Sequence, residues 1–228
     1  MKSKVLTIFC LAGAMAFGGV DTTNRETYEW AHYWWNHADD GVRPRVLIVG
    51  DSITEAASSR VFRQLEDVAL VDMMTSSKNV KDPALRKEIG YMLGEYPYEV
   101  IHFNHGLHGL LIKEEEYEGY LRSYVAEVKR LAGNAKLVWG SITPLRGTLK
   151  REENQLLSRR NAVANKVMAE MGIPVNDLWK LIWNSDNADS IRSGDKNDDY
   201  HYNDIGNDMI GRAMAERIRS LLPPPKKD

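Results

Sequence analysis

The sequence predicts an α/β domain in three layers, a mostly parallel sheet between two sets of helices, and three observations carry that expectation. Residues 45–50, Arg-Val-Leu-Ile-Val-Gly, form a short β-branched apolar run after Pro44 that stops at Gly50-Asp51-Ser52, the pattern of a strand buried on both faces. Four further apolar runs follow, alternating with stretches of helical periodicity, and this alternation is how parallel sheets are built. The 228 residues contain no internal repeat and suffice for one such core.

Before that core stands a leader. Met1-Lys2-Ser3-Lys4, an apolar stretch over residues 5–16 and then small residues follow the charged, apolar and small-residue order of a secretory signal peptide, with Ala14-Met15-Ala16 as the cleavage site. Residues 1–16 are read as that leader, and the mature protein is expected to be secreted or periplasmic. The stretch is too short to span a bilayer comfortably, and Phe9 before Cys10 does not suit lipid attachment, so no stable membrane insertion is expected after cleavage. Cys10 is the single cysteine and leaves with the leader, so neither a disulfide nor a thiol nucleophile is expected. The formal charge of −2 becomes −4 once Lys2 and Lys4 are removed, which gives no basic field for nucleic acid.

Residues 17–44 are an aromatic segment packed on the domain, residues 45–222 the domain itself, and residues 223–228 a tail. In the aromatic segment Tyr28, Trp30, Tyr33, Trp34 and Trp35 read as a short helix with Trp30 and Trp34 on one face. It serves either as a hydrophobic clasp or as a sugar-stacking platform, with Trp34 as the candidate substrate contact. After the first strand, Val61, Phe62 and Leu65 recur at helical spacing, and residues 68–74 form a second strand that ends at Thr75-Ser76-Ser77-Lys78-Asn79. Asp82-Pro83 opens the next helix with N-cap and N1 preferences, closed by Gly94 and Pro97. Residues 100–104 are the third strand. Glu114, Glu115 and Glu116 begin a long helix to about residue 132 that ends on Lys129 and Arg130, as the macrodipole favours.

Residues 137–141 make a fourth strand, followed by the loop Thr143-Pro144-Leu145-Arg146-Gly147 on the ligand side. The helix over residues 152–171 sends Arg159 and Arg160 to solvent and Met168 and Met171 to the core. Residues 173–176 are a short last strand, where Pro174 marks an edge. A polar loop over residues 178–196, with Trp179 and Trp183 near its start, leads to the terminal helix opened by Asn203 and stopped by Pro223.

Ser52 lies one residue beyond the first strand, at the start of a helix and outside the carboxyl end of the sheet, a good address for a nucleophile. Asp-Ser after a strand is also ordinary capping chemistry. What adds to it is Asp198-Asp199-Tyr200-His201, where the three-residue spacing can set a carboxylate on the Nδ1 side of the ring and leave Nε2 for a hydroxyl. Asn104 stands at the end of the third strand, where its amide could stabilise an oxyanion or simply hold a turn. His102, His105 and His108 have a spacing that invites zinc, but a strand end alternates faces and two glycines intervene, so no metal is expected.

Gly50-Asp51-Ser52, Asn104 and Asp198-x-x-His201, in that order, resemble the blocks of the SGNH, or GDSL, hydrolase superfamily. Residues 100–109, Val-Ile-His-Phe-Asn-His-Gly-Leu-His-Gly, are similar to a secreted bacterial branch with an Asn-x-Gly-Leu-His-Gly pattern. The resemblance implies a flavodoxin-like five-stranded sheet of order 2-1-3-4-5 and a serine esterase without cofactor. In it Ser52, His201 and Asp198 are catalytic. Ser52, Asn104 and Ser77 (or Ser76) form the oxyanion hole, and His105 and His108 bind substrate. Two departures stand out: the usual glycine after the second strand is absent, and Gly-x-Asn-Asp is here His102-Phe103-Asn104-His105. The expected substrates are O-acetyl groups, on a small molecule or a polysaccharide. A lipase or thioesterase, a catalytically weak polysaccharide-binding relative and an acyl-transfer enzyme are the alternatives.

Overall fold

A computed structural model describes residues 25–145, 150–185, 190–195 and 197–223; the leader, Cys10, Arg146 and Gly147 lie outside them. Five parallel strands form the core sheet: β2 (Arg45–Gly50), β3 (Leu70–Ser76), β4 (Val100–Phe103), β5 (Lys136–Gly140) and β6 (Val175–Asn176), in spatial order β3-β2-β4-β5-β6. That is the expected 2-1-3-4-5 arrangement. Every residue of β2, β3 and β4 is buried, because helices cover both faces.

The sixth strand corrects the sequence reading. The aromatic segment is not a helix: β1 (Ala31–Trp34) pairs antiparallel with β3, Ala31 opposite Ser76 and Trp34 opposite Met73. Aromatic side chains suit a pleated, half-buried surface, and β1 pairs the backbone groups along the outer edge of β3. Tyr33 and Trp35 stack at 6.2 Å and both meet Tyr91 edge-on, at 5.7 and 5.8 Å.

Helices α1 (Ser52–Leu65), α5 (Leu178–Trp183) and α6 (Asp204–Arg219) cover one face of the sheet; α2 (Pro83–Glu95), α3 (Glu114–Leu131) and α4 (Arg151–Met171) line the other. Asp82 caps α2 by accepting from the Ala84 N–H, with Pro83 at N1. The short α5 replaces part of the expected polar loop, since Asp177 accepts from the Lys180 N–H and Leu178 and Ile182 bury one side. Arg159 pairs with Glu114 at the surface, but Arg160 is wholly buried, contrary to expectation. It donates to the carbonyls of Gly109 (2.5 Å) and Ile112 (2.6 Å) and lies over Tyr117, so it fastens the loop after β4 to α4.

At the far end of β2, Arg45 is buried against Asp72, with Nη1 at 3.0 and 3.1 Å from the two carboxylate oxygens. The same guanidinium donates to the carbonyls of Asn36, His37 and Asp40, and so holds the chain between β1 and β2. Between α1 and α6 the helices approach at Gly211, where a β-carbon would stand 2.5 Å from Arg60 Cβ and 2.9 Å from the Ala57 carbonyl oxygen. Among the described residues no helix is long and apolar enough to cross a membrane.

Candidate active site

Ser52 is the first residue of α1, directly beyond the turn that ends β2. The turn needs Gly50, because a β-carbon there would come within 2.0 Å of Thr54 Oγ1. Asp51 is buried and caps α1, accepting from the Ile53 N–H at 3.0 Å. Burial pushes its carboxyl above the ordinary range, against the Ile53 hydrogen bond and the charges of His108 and His201. As the first amide of a helix, the Ser52 N–H has no intrahelical acceptor and sits at the positive end of the dipole.

Asp198 and His201 come from a hairpin. Ser193 N–H donates to the His201 carbonyl and Asn203 N–H to the Ile191 carbonyl, both at 3.0 Å, with Arg192 bridged to Tyr202 between them. Asp198 Oδ1 accepts from the backbone N–H groups of Tyr200 and His201 at 3.0 Å each, and both its oxygens lie 3.0 Å from His201 Nδ1. Burial pushes the Asp198 carboxyl up, but the two N–H donors and the imidazole outweigh it and hold it below the usual carboxylate range. A carboxylate only accepts, so Nδ1 carries the proton and Nε2 is an acceptor. His201 Nε2 stands 2.8 Å from Ser52 Oγ, and the structure thereby brings Ser52, His201 and Asp198 together.

It does not present the other expected donors. Asn104 Nδ2 gives its two hydrogens to the carbonyls of Gly140 (2.8 Å) and Ser141 (3.1 Å), which braces the end of β4 against β5. The Ser77 N–H donates to the Trp30 carbonyl and its hydroxyl to Glu29, because β1 zips the end of β3 shut; the Ser76 hydroxyl donates to Glu88.

The histidines diverge. His105 is buried 3.3 Å from the Tyr124 hydroxyl on the α3 side, its pKa pushed down to about 3 by burial, so it is a core residue and not a substrate contact. His102 points to the other face, next to Asn176, and burial lowers its pKa to about 4. Of these three only His108 stands at the rim, with Nδ1 2.5 Å from Glu26. No group of three His, Cys, Asp or Glu side chains gathers among the described residues. Trp34 is exposed but lies opposite Met73, three residues back from the rim. That is roughly 10 Å along the strand.

The aromatic at the rim is Trp30, whose backbone N–H donates to Ser77 Oγ at 2.9 Å. Its ring is 5.2 Å from His32 and 6.1 Å from His108, and His32 Nδ1 in turn lies 3.0 Å from Glu55, one turn along α1 from Ser52. Sequence reasoning placed Trp30 on a helix and missed His32, Glu55 and Glu26, since cross-strand and strand-to-helix pairs leave no periodic mark.

No protein-family model matches the sequence and no curated protein matches it, but solved structures do. A lipase/acylhydrolase from Enterococcus faecalis superposes with a TM-score of 0.65 at 16% identity, over 81% of this chain and 100% of the other. An acetylxylan esterase from Geobacillus stearothermophilus gives 0.62 at 15% identity, over 77% and 94%. A GDSL-like lipase from Bacteroides thetaiotaomicron gives 0.55 at 14% identity, over 78% and 89%.

The chain shares the fold of these lipases and esterases. Open sheets of this kind bind ligands outside the carboxyl ends of their strands. In this sheet that rim is formed by the loops after β2, β3 and β4, with the hairpin that carries His201 reaching Ser52 from above. β1 is an antiparallel addition to the five parallel strands and brings Trp30 and His32 to the same rim.

Proposed function

We propose that this protein is a serine esterase that removes short acyl groups, O-acetyl above all, from carbohydrate. The observation that carries the reading is the line of hydrogen bonds from Asp198 through His201 to the Ser52 hydroxyl. Ser52 Oγ attacks the ester carbonyl as His201 Nε2 takes its proton; the carbonyl oxygen becomes an oxyanion facing the Ser52 N–H at the helix start. Collapse expels the alcohol, which leaves with the proton from Nε2, and an acyl-serine remains. Water then repeats the sequence, donating its proton to His201 and releasing the acid. Asp198 stays ionised throughout, holding the ring and balancing the imidazolium. Asn104 serves as a brace, and the Ser52 N–H is the oxyanion donor.

One observation favours a sugar alcohol. Trp30, flanked by His32 and His108 with Glu55 and Glu26 behind them, offers a flat apolar face beside hydrogen-bonding groups, as a sugar ring requires. Acetylxylan esterases are among the proteins with this fold. The leader-like residues 1–16 support action outside the cytoplasm.

The test is hydrolysis of p-nitrophenyl acetate and of acetylated oligosaccharides, with Ser52→Ala as control. Turnover lost in a folded Ser52→Ala variant is expected, together with labelling of Ser52 by a phosphonate. Equal turnover by both proteins overturns the esterase reading, and a preference for acyl chains of eight carbons or more overturns the carbohydrate reading.

A further inference from the structure

The hairpin that carries Asp198 and His201 is fastened at its base by two side chains that the proposed chemistry does not use. Arg192 Nη1 donates to the Pro144 carbonyl at 2.6 Å and Nη2 to the Leu145 carbonyl at 2.7 Å. The guanidinium lies 4.6 Å above the Tyr202 ring, and the Tyr202 hydroxyl donates to the same Pro144 carbonyl at 2.6 Å. Both residues are almost closed to solvent, at 6% and 5%. Leu145 is itself fixed by Asn154 of α4, which accepts from its N–H at 2.8 Å and donates to its carbonyl at 3.2 Å.

Among the described residues no carboxylate pairs with Arg192. Burying a cation that way carries a desolvation penalty, and what the molecule gains is geometry. A planar fork can satisfy two consecutive carbonyls only at one height and one tilt, a constraint that a lysine ammonium does not impose. Tyr202 is the next residue after His201, so the clamp acts directly on the backbone that bears the imidazole. The neighbouring positions are fixed too, through Ser193 N–H on the His201 carbonyl and Asn203 N–H on the Ile191 carbonyl.

We propose that Arg192 and Tyr202 are positioning residues that set the His201 ring at hydrogen-bonding distance over Ser52, using the segment after β5 as their abutment. The kinetic consequence rests on the esterase reading; the placement of the ring does not. Misplacing a catalytic group by about 1 Å can cost about a hundredfold in rate. Arg192→Lys and Tyr202→Phe are therefore expected to lower kcat on p-nitrophenyl acetate by about 10- to 100-fold, with KM held within about twofold. Because both side chains meet at the Pro144 carbonyl, the double variant is expected to lose less than the product of the two single losses.

The second readout is the NMR resonance of the His201 ring N–H shared with Asp198, recorded on folded protein. It is expected to shift or broaden in both variants and to stay unchanged in Arg159→Lys, a surface control. Folded variants with wild-type kcat and an unchanged ring resonance overturn the inference, as does a kcat loss that merely follows the loss of folded protein. If the wild-type protein hydrolyses no ester, the esterase reading fails, and the ring resonance alone then decides the clamp: unchanged in both variants, it overturns the proposal.

Discussion

Replacing Asp198 by Asn separates the electrostatic part of the proposed triad from its geometry. The Asp198 carboxylate has two duties: Oδ1 accepts from two backbone N–H groups, and both oxygens face His201 Nδ1 at 3.0 Å. An asparagine keeps its carbonyl on the backbone donors, so its NH2 must then face Nδ1. A donor opposite Nδ1 forces that nitrogen to accept and moves the ring proton to Nε2, the atom 2.8 Å from Ser52 Oγ. The base can then no longer take the serine proton, although nothing has moved. The wrong tautomer costs on the order of 10³- to 10⁴-fold in kcat, or about 4–5.5 kcal/mol of transition-state stabilisation. The assay is kcat/KM on a short-chain aryl ester for the wild type and Asp198→Asn, beside a thermal melt of each. A loss under about tenfold by a variant with an unchanged Tm would refute the assignment of His201 as a base oriented by Asp198.

Three further outcomes are expected. Since the folded protein holds the Asp198 carboxyl below the usual range, its contribution to stability is complete above the unfolded value near pH 4 and is lost as the pH falls through the folded one; Tm measured from pH 2 to 6 should fall more steeply on the acid side in the wild type than in Asp198→Asn. Arg45→Met leaves Asp72, wholly buried, without its cation, at about 3–5 kcal/mol, or a Tm lower by about 6–20 °C; a drop under about 3 °C contradicts this, and activity per folded molecule should persist because Arg45 is at the opposite end of β2 from Gly50. Asn104→Ala strips the Gly140 and Ser141 carbonyls of a partner, at about 1–3 kcal/mol for each buried group left unpaired, with kcat expected to fall less than tenfold; a hundredfold loss of kcat at constant Tm would show instead that the amide serves the oxyanion.

The parallel strands were legible because each is a continuous apolar run bounded by glycine, proline or a capping residue, and residues 45–50 coincide with β2. Asp82-Pro83 and Asn203 announced their helices through local chemistry that the chain carries out within three residues. β1 was not legible in this way. Its identity as a strand depends on the free edge of β3, some 40 residues away, and an aromatic run satisfies helix and strand patterns alike. The Ser52, Asp198 and His201 group could be read from the order of short blocks, whereas the fate of the Asn104 amide could not, since it turns on where the Gly140 and Ser141 carbonyls lie in space. Arg160 misled for a related reason: a guanidinium that satisfies backbone carbonyls has no partner visible in a string of side chains.

The close approach of α1 and α6 at Gly211 has a consequence for how this protein can change. Ser52 opens one of those helices and His201 lies three residues before the other, so the proposed nucleophile and base ride on a single stiff strut. Loops along the rim are free to be rebuilt around that strut without re-aiming the Ser52 hydroxyl and the His201 ring at one another.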